Sequence, residues 1–589
     1  MITDPDLVSI QEVRGKVEQA HSAWTRYRTF PQSKIDAIVE SVAAAARDHA
    51  QRLAELAVHE TGYGNAADKF AKNMLAADVL PRRMRGMRTI GVLRENADDG
   101  IVEIGEPVGV VAAVLPTTNP TSTAIYKTLI SLKAGNAIVL SPHPRARACS
   151  CETAAVLATA AQQAGAPEGL VGCIGTSTIE ATNELMRHRR TAVILSTGGS
   201  GIVHAAYSSG KPAFGVGPGN VPVLLDTSAD IDRAAAKIIE GKSFDYGTLC
   251  SSEQTVVAER SLRDKLIAAF KGRKAFFADA AQTAALVRLL IKKNFAINPE
   301  CVGQSAQKIG KMAGFEIPSD APIIVVEIGG IGRDHPLSAE KLSPVLSLYF
   351  VDNFAAALDA CEAVLRFGGL GHTCGIYATD DARIREYALR MPAYRVIANT
   401  STPHGSTGIT TNVFPAMTLG CGAIAGNSTS DNIGPLHLIN IKRLAYDSSN
   451  PTRKGGDQGR DSVLSSSPTR QGGDSALSSS PTRQGGGSVT DRSEIAAAVE
   501  RYLARRSVTS SAVTNPATST PSPAPSAPAA TPAPPPAAAE PTLVDFVCED
   551  DVRQAIRDSR KIFIGPKAIV TPSARDLAGP HDILVLVKK

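Results

Sequence analysis

The chain has 589 residues, which is too long for one ordinary hydrophobic core, so roughly two to four domains are expected. Charged residues make up 20% of the sequence and the formal net charge is only +5, which argues against a nucleic-acid partner. The nine cysteines are dispersed, without the CxxC or Cys/His spacing of a metal site. We therefore expect no bound metal, free thiols and a reducing compartment.

The sequence begins MITDPDLVSIQEV, which is acidic and lacks the apolar stretch of a secretory signal. No run reaches the roughly 18 apolar residues that a membrane-spanning helix needs. The expected class is a globular protein of the cytoplasm, or of a compartment inside it, without membrane contact.

The chain begins with a helical region and then changes its pattern. Within residues 9–60, apolar side chains lie at i, i+3, i+4 and i+7, as one face of a helix requires: Ile35, Ile38, Val39 and Val42. From Ile101 onward, short apolar runs alternate with amphipathic segments such as 151–165 and 178–188. The runs predict buried strands at 108–115, 136–142, 191–198, 221–226, 253–259, 321–330 and 345–352. This alternation predicts an α/β protein with a mostly parallel sheet covered on both faces.

The composition of the tail differs from that of the rest of the chain. Residues 447–490 are rich in Ser, Gly and Thr, and 507–541 are rich in Ala and Pro, so both predict flexible linkers. Between them, residues 491–506 place apolar side chains on one face of a short amphipathic helix. The last segment, 542–589, predicts a small module with a helix near 549–560, followed by strands in KIFIG, AIVTP and DILVLV.

One cysteine, Cys250, lies between small polar residues in SFDYGTLCSSEQ (243–254), just before a predicted strand. A lone cysteine of this kind is more often an inert, packed thiol. Here it follows a glycine-rich stretch, GKPAFGVGPGNVPV (210–223). The glycines are either ordinary loop residues or positions where the backbone approaches a ligand closely. The two stretches together, rather than either alone, indicate a functional site.

These stretches resemble the aldehyde dehydrogenase superfamily, and specifically its CoA-acylating branch, including the acetaldehyde dehydrogenase half of bifunctional aldehyde–alcohol dehydrogenases. The resemblance continues in the family's order at TGGSG (197–201), EKLSPVLSLY (340–349), GLGHT (369–373) and LGCGAIAGNSTSDNIGPLHLINIKRLAY (419–446). It covers roughly residues 5–446. Agreement at so many separate places is far more specific than a single glycine motif.

The resemblance implies the architecture of an aldehyde dehydrogenase. A Rossmann-like cofactor domain is expected from residues 1–222 and about 425–446, and an α/β catalytic domain from 223–424. These dehydrogenases pair their subunits through an extended β-arm. We expect that arm near 97–106 and in the segment that ends at Tyr446, and hence a homo-oligomer.

The resemblance also implies a mechanism. Cys250, as a thiolate, attacks the aldehyde, hydride passes to a nicotinamide, and an acyl-enzyme thioester remains for a second nucleophile. Asn119, in LPTTNPTS (115–122), matches the family residue whose side chain stabilises the oxyanion. Without the resemblance, Asn119 would be read simply as a turn residue before a proline.

A departure from the hydrolytic members of the family concerns the fate of the acyl group. Those enzymes carry a glutamate that activates water, and alignment of the glycine-rich stretch places Val216 there, 34 residues before Cys250. Because valine cannot accept a proton, we expect the thioester to survive until the thiol of coenzyme A attacks it. Two alternatives stay open: a hydrolytic dehydrogenase that releases a free acid, and a non-catalytic scaffold.

Residues for the dinucleotide, NAD or alternatively NADP, follow from the resemblance as well: Ser141, His143, Gly198, Gly199, Ser200, Gly217 and Glu340. The Gly198–Ser200 turn is expected to open a helix, whose N-terminus favours phosphate groups, although a plain strand-to-helix turn has the same pattern. Ser141 stands where hydrolytic members usually have lysine, which leaves NAD versus NADP open. Glu340 matches a glutamate that binds the nicotinamide ribose, but an exposed carboxylate is the common fate of Glu. His372 is assigned to the acyl or CoA channel, or is a structural histidine.

The tail implies a further partner. Residues 491–506 resemble the encapsulation peptides that load enzymes into bacterial microcompartments, where a tethered apolar stripe docks to a shell or cargo protein. The terminal module contains TPSARD, a segment that resembles parts of other microcompartment enzymes. A weak helix without a partner is the alternative. A microcompartment lumen favours a short aldehyde, such as acetaldehyde or propionaldehyde, as substrate.

Overall fold

The computed structural model describes residues 4–96, 99–292 and 295–447, and in the C-terminal part 543–547, 549–558, 560–570, 574, 578, 581 and 583–587. Apart from Asp447, the predicted linkers and the predicted helix 491–506 lie outside the described residues. The chain divides into two compact units, Met1–Val463 and Leu464–Lys589, which are described separately. Within the described ranges, no helix is long and apolar enough to cross a membrane. In the same ranges, no group of three or more His, Cys, Asp or Glu side chains could hold a metal ion.

The first unit begins with five helices and a hairpin: α1 (Pro5–Tyr27), α2 (Gln32–Asp48), α3 (Ala50–Thr61), α4 (Ala66–Met74), α5 (Leu80–Met84), β1 (Gly91–Asn96) and β2 (Ile101–Pro107). The face of α2 that the periodicity predicts is buried. A π-helical turn, Leu75–Val79, joins α4 to α5. Helix α4 differs from the others, because its buried side chains are all polar: Lys69, Lys72 and Asn73.

A five-stranded parallel sheet follows, in the order β5-β4-β3-β6-β7. Its strands are β3 (Val110–Val114), β4 (Ala137–Ser141), β5 (Val171–Cys173), β6 (Thr191–Thr197) and β7 (Ala213–Val216). The intervening helices are α6 (Pro120–Lys133), α7 (Arg147–Gln163), α8 (Ile179–Arg187) and α9 (Ser200–Tyr207). In chain order, β4 and β5 lie successively farther from β3 on one side, and β6 and β7 then lie on its other side. The strand order therefore reverses between β3 and β6, where ligands bind in open α/β sheets.

A seven-stranded parallel sheet takes up the rest of the predicted α/β region, in the order β10-β11-β12-β9-β8-β13-β14. Its strands are β8 (Val221–Leu225), β9 (Glu253–Glu259), β10 (Phe276–Phe277), β11 (Ile324–Glu327), β12 (Val345–Val351), β13 (Gly371–Tyr377) and β14 (Ala393–Ala398). Its helices are α10 (Ile231–Ser243), α11 (Arg263–Gly272), α12 (Ala280–Leu290), α13 (Ala306–Ala313), α14 (Phe354–Val364), α15 (Asp381–Arg390) and α16 (Thr402–Ser406). The predicted α/β class and every predicted strand of this region are confirmed.

The last strand of the first unit, β15 (Ile439–Ala445), pairs antiparallel with β2 along its whole length, from Ile439 opposite Pro107 to Ala445 opposite Ile101. Together with β1, these strands form a three-stranded sheet at the place predicted for the β-arm. Most of β15 is exposed. Its role in oligomerisation stays a prediction, as do the domain boundaries.

The second unit contains β16 (Leu543–Val547), α17 (Glu549–Arg557), β17 (Ile562–Val570) and β18 (Leu584–Leu586), with the strands in one parallel sheet. The helix lies where the sequence predicts it. KIFIG and AIVTP, however, form one strand rather than two, because the residues between them bulge and let β17 continue. The strand Leu543–Val547 was not predicted. A small core joins helix and sheet through Val547, Val552, Ala555 and Ile562.

Candidate active site

Cys250 lies on the turn that leads into β9, a central strand paired with β8 on one side and β12 on the other. The preceding residues, Asp245 and Tyr246, have left-handed backbone angles, with φ of 47° and 53°. Non-glycine residues rarely adopt this conformation, and it persists where the surroundings fix it. The chain is thus turned sharply just before a rigid strand, and Cys250 as a residue is only partly exposed.

The glycine-rich stretch lies directly against this turn. A Cβ atom on Gly219 would lie 2.1 Å from the carbonyl oxygen of Cys250 and 3.2 Å from Cγ of His372, so only glycine fits there. A Cβ on Gly217 would meet no atom within 4 Å. Gly219 is therefore needed for the close approach of two backbone segments, and the approach of this stretch to a ligand stays a prediction, for which the space at Gly217 leaves room.

The structure brings His372, which the sequence assigned only loosely to a substrate channel, into contact with the nucleophile. Its Nε2 lies 3.1 Å from Sγ of Cys250, and its Nδ1 lies 2.9 Å from Oγ1 of Thr373. The ring is fully buried. Burial, and then the positive charge of Arg395, lower the pKa of His372 to about 3. The imidazole is therefore neutral at physiological pH, and its Nε2 is within hydrogen-bond distance of the thiol.

The thiol of Cys250 is neutral as well. Burial raises its pKa to about 12, the negative charges of Glu340 and Cys421 add to this, and Arg395 opposes it. The resting site therefore contains Cys250 as a neutral thiol and not as a thiolate. The contact between the thiol and the neutral His372 instead provides a route for the proton to leave when the sulfur attacks.

Glu340 is not the exposed surface carboxylate that was its alternative assignment. It is 8% exposed, and its Oε1 accepts a hydrogen bond of 3.2 Å from the backbone N–H of Gly219. Burial raises its pKa to about 8. Glu340 therefore lies beside the nucleophile, where the predicted contact with a nicotinamide ribose is possible, and that contact stays a prediction.

Asn119 begins α6 after the loop that follows β3, and it is held on both sides of its amide. Its Oδ1 accepts from the ammonium of Lys72, and its Nδ2 donates to Oγ1 of Thr118 over 3.0 Å. The same ammonium donates to Asp245 and, over 3.2 Å, to Thr248. A hydrogen-bond chain thus leads from the predicted oxyanion donor to the turn that carries the nucleophile.

Five of the residues assigned to the dinucleotide lie at the carboxyl ends of two strands, Ser141 and His143 at β4 and Gly198–Ser200 at β6, whereas Gly217 follows β7. Gly199 precedes the first residue of α9, Ser200, and a Cβ on Gly199 would meet no atom within 4 Å. Space is therefore open in front of a helix N-terminus at the point where the strand order reverses, which fits a dinucleotide phosphate. Ser141 is buried, and its hydroxyl lies 2.9 Å from that of Thr182, so this oxygen is already engaged inside the protein. His143 is exposed at the same edge.

The chain is similar to known proteins both in sequence and in fold. A sequence model of the Aldehyde dehydrogenase family matches residues 2–277. The bifunctional aldehyde-alcohol dehydrogenase of Escherichia coli (strain K12) is 41% identical over 444 residues, which are 74% of this chain and 50% of that protein. This chain thus spans about half the length of such bifunctional relatives. The succinate-semialdehyde dehydrogenase (acetylating) of Clostridium kluyveri is 35% identical over 439 residues, 74% of this chain and 96% of that protein.

This chain belongs to the aldehyde dehydrogenase family. Among solved structures, an acetylating aldehyde dehydrogenase from Geobacillus thermoglucosidasius is 47% identical, with a TM-score of 0.75 over 76% of this chain and 99% of that one. A propionaldehyde dehydrogenase from the Clostridium phytofermentans fucose utilisation bacterial microcompartment is 28% identical, with a TM-score of 0.69 over 75% and 98%. The propionaldehyde dehydrogenase of Rhodopseudomonas palustris, with bound CoA and an acylated cysteine, is 29% identical, with a TM-score of 0.69 over 74% and 97%. The predicted resemblance to the acylating branch is confirmed.

The sequence missed three features of this aldehyde dehydrogenase site. Lys72 and Asp245 were not singled out, and His372 was not placed at the nucleophile. Asp245 lies inside the motif that contains Cys250, so its position near the site carried a signal. Lys72 carried none, because a lysine in an amphipathic helix is ordinarily exposed.

Proposed function

We propose that this chain is a CoA-acylating aldehyde dehydrogenase that converts a short aldehyde, CoA and NAD+ into acyl-CoA and NADH, with NADP+ as the alternative acceptor. The observation that carries the proposal is the contact of 3.1 Å between Cys250 and a neutral His372. It supplies a nucleophile together with a proton acceptor. The relatives named acetylating, and the solved relative with bound CoA and an acylated cysteine, support the choice of CoA as the acyl acceptor.

The first half-reaction is acylation. As Sγ of Cys250 attacks the aldehyde carbon, its proton passes to Nε2 of His372, and the carbonyl oxygen becomes an oxyanion. The second N–H of the Asn119 amide is the donor available to that oxyanion. The bound nicotinamide supplies the hydride acceptor. The carbonyl then re-forms as a thioester on Cys250, and His372 releases its proton to solvent.

The second half-reaction is acyl transfer. The CoA thiol attacks the thioester carbon and gives its proton to His372, and Cys250 recovers a proton as the carbon–sulfur bond breaks. Val216, which is 2% exposed, occupies the position of the water-activating glutamate in hydrolytic members. Because this position has no proton acceptor, hydrolysis is slow and CoA takes the acyl group.

The dinucleotide would be held by the open turn Gly198–Ser200, by the space at Gly217 and by Glu340 beside the nucleophile. Ser141 and His143 lie at the edge expected for the adenosine ribose. The hydroxyl of Ser141 already bonds to Thr182, and the position lacks lysine, so the adenosine end is the less defined part of this proposal.

The test is a steady-state scan with acetaldehyde and propionaldehyde, with and without CoA, using NAD+ or NADP+. We expect NADH formation that depends on CoA and an acyl-CoA product identified by mass spectrometry. Cys250→Ala should lower the rate by about 10³-fold or more, because the covalent intermediate is lost. Free acid formed without CoA would establish the hydrolytic alternative, full activity of Cys250→Ala would contradict the mechanism, and absence of turnover with every aldehyde would favour a non-catalytic scaffold.

We further propose that the tail directs the enzyme into the lumen of a bacterial microcompartment. Two observations support this: the amphipathic pattern of residues 491–506 and the microcompartment origin of one structural relative. Deletion of 491–589 should abolish co-purification with shell proteins, whereas deletion of 507–589 should preserve it. If the longer deletion still co-purified, the proposal would be wrong, and loss with both deletions would assign targeting to 542–589.

A further inference from the structure

A cluster of buried charges lies beside the proposed site, and the mechanism above does not use it. It consists of Lys69, Lys72 and Asp245, whose side chains are 2%, 1% and 0% exposed. Both ammonium groups donate to the same carboxylate oxygen, Oδ2 of Asp245. Two cations thus share one buried anion, and the partly exposed Asp68 faces the cluster from the same helix. Burying charge in this way is costly unless every group is hydrogen-bonded.

The donors of Lys72 are all in use. An ammonium has three N–H bonds, and this one donates to Asp245, Thr248 and Oδ1 of Asn119. An ammonium cannot accept, so the atom of Asn119 that faces it must be the oxygen. The orientation of the amide is therefore fixed, and Nδ2 is directed away from Lys72.

The Nδ2 group has two N–H bonds, and one of them donates to Thr118. The other has no partner among the described residues. The ammonium of Lys72 also lies behind the amide oxygen and polarises the amide toward a stronger N–H donor. Both effects favour a negative charge in front of Nδ2, which is the charge that an attacked aldehyde develops.

We propose that Lys72 is a positioning residue that fixes the Asn119 amide so that its free N–H faces the aldehyde oxygen during acylation. This inference rests on the proposed function, although it concerns only the acylation half-reaction. Lys69 differs from Lys72 in a useful way. It shares Asp245 but donates to the backbone oxygen of Thr118 and not to the Asn119 side chain.

The test measures the single-turnover burst of NADH, which reports acylation, in the full-length enzyme. Lys72→Met should slow the burst roughly 10- to 100-fold, with less than about threefold change in KM for the aldehyde. Lys72→Gln retains a neutral N–H donor and should recover part of the loss. Lys133→Met is the matched control, because this lysine is also buried and paired with a carboxylate, Asp36, at the far end of α6.

The decisive comparison is the double variant Lys72→Met/Asn119→Ala. If Lys72 acts through Asn119, the double variant should be no slower than Asn119→Ala alone. Multiplied losses would overturn the proposal, and so would a Lys69→Met variant as slow as Lys72→Met, because the effect would then pass through Asp245. Should Lys72→Met fail to fold by circular dichroism, the same cycle is run with Lys72→Gln.

The NADH burst reports acylation, which precedes release of the acyl group, so it occurs whether CoA or water later attacks the thioester. A wild-type enzyme with a burst but no acyl-CoA product would therefore contradict the proposed function and leave the role of Lys72 intact. A wild-type enzyme that forms acyl-CoA, with a burst unaffected by Lys72→Met, would contradict only the role of Lys72.

Discussion

The side of the site around Asn119 and the side around Cys250 differ in whether their buried groups are charged or neutral. Around Asn119, full charges are buried and paired through hydrogen bonds to Lys72 and Asp245. Around Cys250, burial keeps both the thiol and the imidazole of His372 neutral. Fixed charge thus lies on the side assigned to the oxyanion, whereas the cysteine proposed as nucleophile would become charged only during attack.

This difference determines when the free-energy cost of placing charge in the site arises: before the substrate binds on the Asn119 side, and during attack on the Cys250 side. Oriented charges that are already paired need no reorganisation when the substrate oxygen becomes negative. A resting thiolate would need more stabilisation than the buried cation Arg395 provides and would be open to oxidation. A neutral thiol beside a neutral base avoids both, provided that the proton can be transferred at the moment of attack.

The largest effect in this comparison is expected from a variant of Asn119, on the side of the site with buried charges. Asn119→Ala removes the oxyanion donor and should slow the NADH burst roughly 10²- to 10³-fold, as loss of one such donor does in other acyl-transfer enzymes. KM for the aldehyde should change little, because the donor acts on charge that the ground state lacks. Stopped-flow absorbance measures the burst, with the melting temperature as a control for folding. A loss of less than about threefold would remove Asn119 from the mechanism.

The neutral side is tested by His372→Ala, for which we expect a loss of about 10²-fold at pH 7. The pH dependence of the NADH burst, compared between the wild type and His372→Ala, tests the neutral side further. The pKa of His372 is about 3, so this base is available throughout, and between about pH 6 and 9 the wild-type burst should fall only as Lys72, whose pKa burial lowers to about 8, loses its proton. Without His372, the thiol, with a pKa of about 12, must ionise by itself, and the rate should rise about tenfold per pH unit.

The Glu340→Gln variant serves as the control for that profile, because Glu340 has a pKa of about 8 and titrates in the same range. Because Glu340 is also assigned to the nicotinamide ribose, the variant is measured at saturating dinucleotide, and only the pH dependence of its burst, not the size, serves as the control. A flat profile in His372→Ala would mean that another group takes the proton from Cys250.

The smallest effect is expected at Val216. Val216→Glu places a carboxyl group where hydrolytic members have their base and should raise CoA-independent turnover ~3-fold. The gain is small because the site is buried, and burial keeps a new carboxyl largely protonated. The matched variant Val216→Gln has the same size without a base and should show no gain. Equal free acid from both variants would show that size, and not proton transfer, controls hydrolysis.

Much of the fold follows from sequence pattern. Short apolar runs bounded by amphipathic segments predict β3, β4, β8 and β9 within a few residues, because strands buried on both faces need continuous apolar side chains. The interrupted strand Ile562–Val570 was predicted as two, since a bulge is not visible in periodicity.

The site was predicted less completely, for a physical reason. Cys250, Asn119 and the glycines carry local motifs. The hydrogen bond between Lys72 and Asn119 joins residues 47 positions apart, and only tertiary packing decides that this lysine is buried. The contact between His372 and Cys250 spans 122 positions and is likewise invisible in either local sequence.

The polar buried face of α4 has a consequence for how the chain reaches its native state. A nascent chain that ends before Asp245 already contains Lys69, Lys72 and Asn119, but it lacks the carboxylate that neutralises the two lysines. Before Asp245 is present, Asp68 is the one carboxylate of the cluster for two ammonium groups, so burying both of them, and with them docking α4, is unfavourable. Docking therefore waits until the ribosome has added the turn that carries Cys250. We therefore expect Lys72 to hold the Asn119 amide only once the turn that carries Asp245 and Cys250 is present.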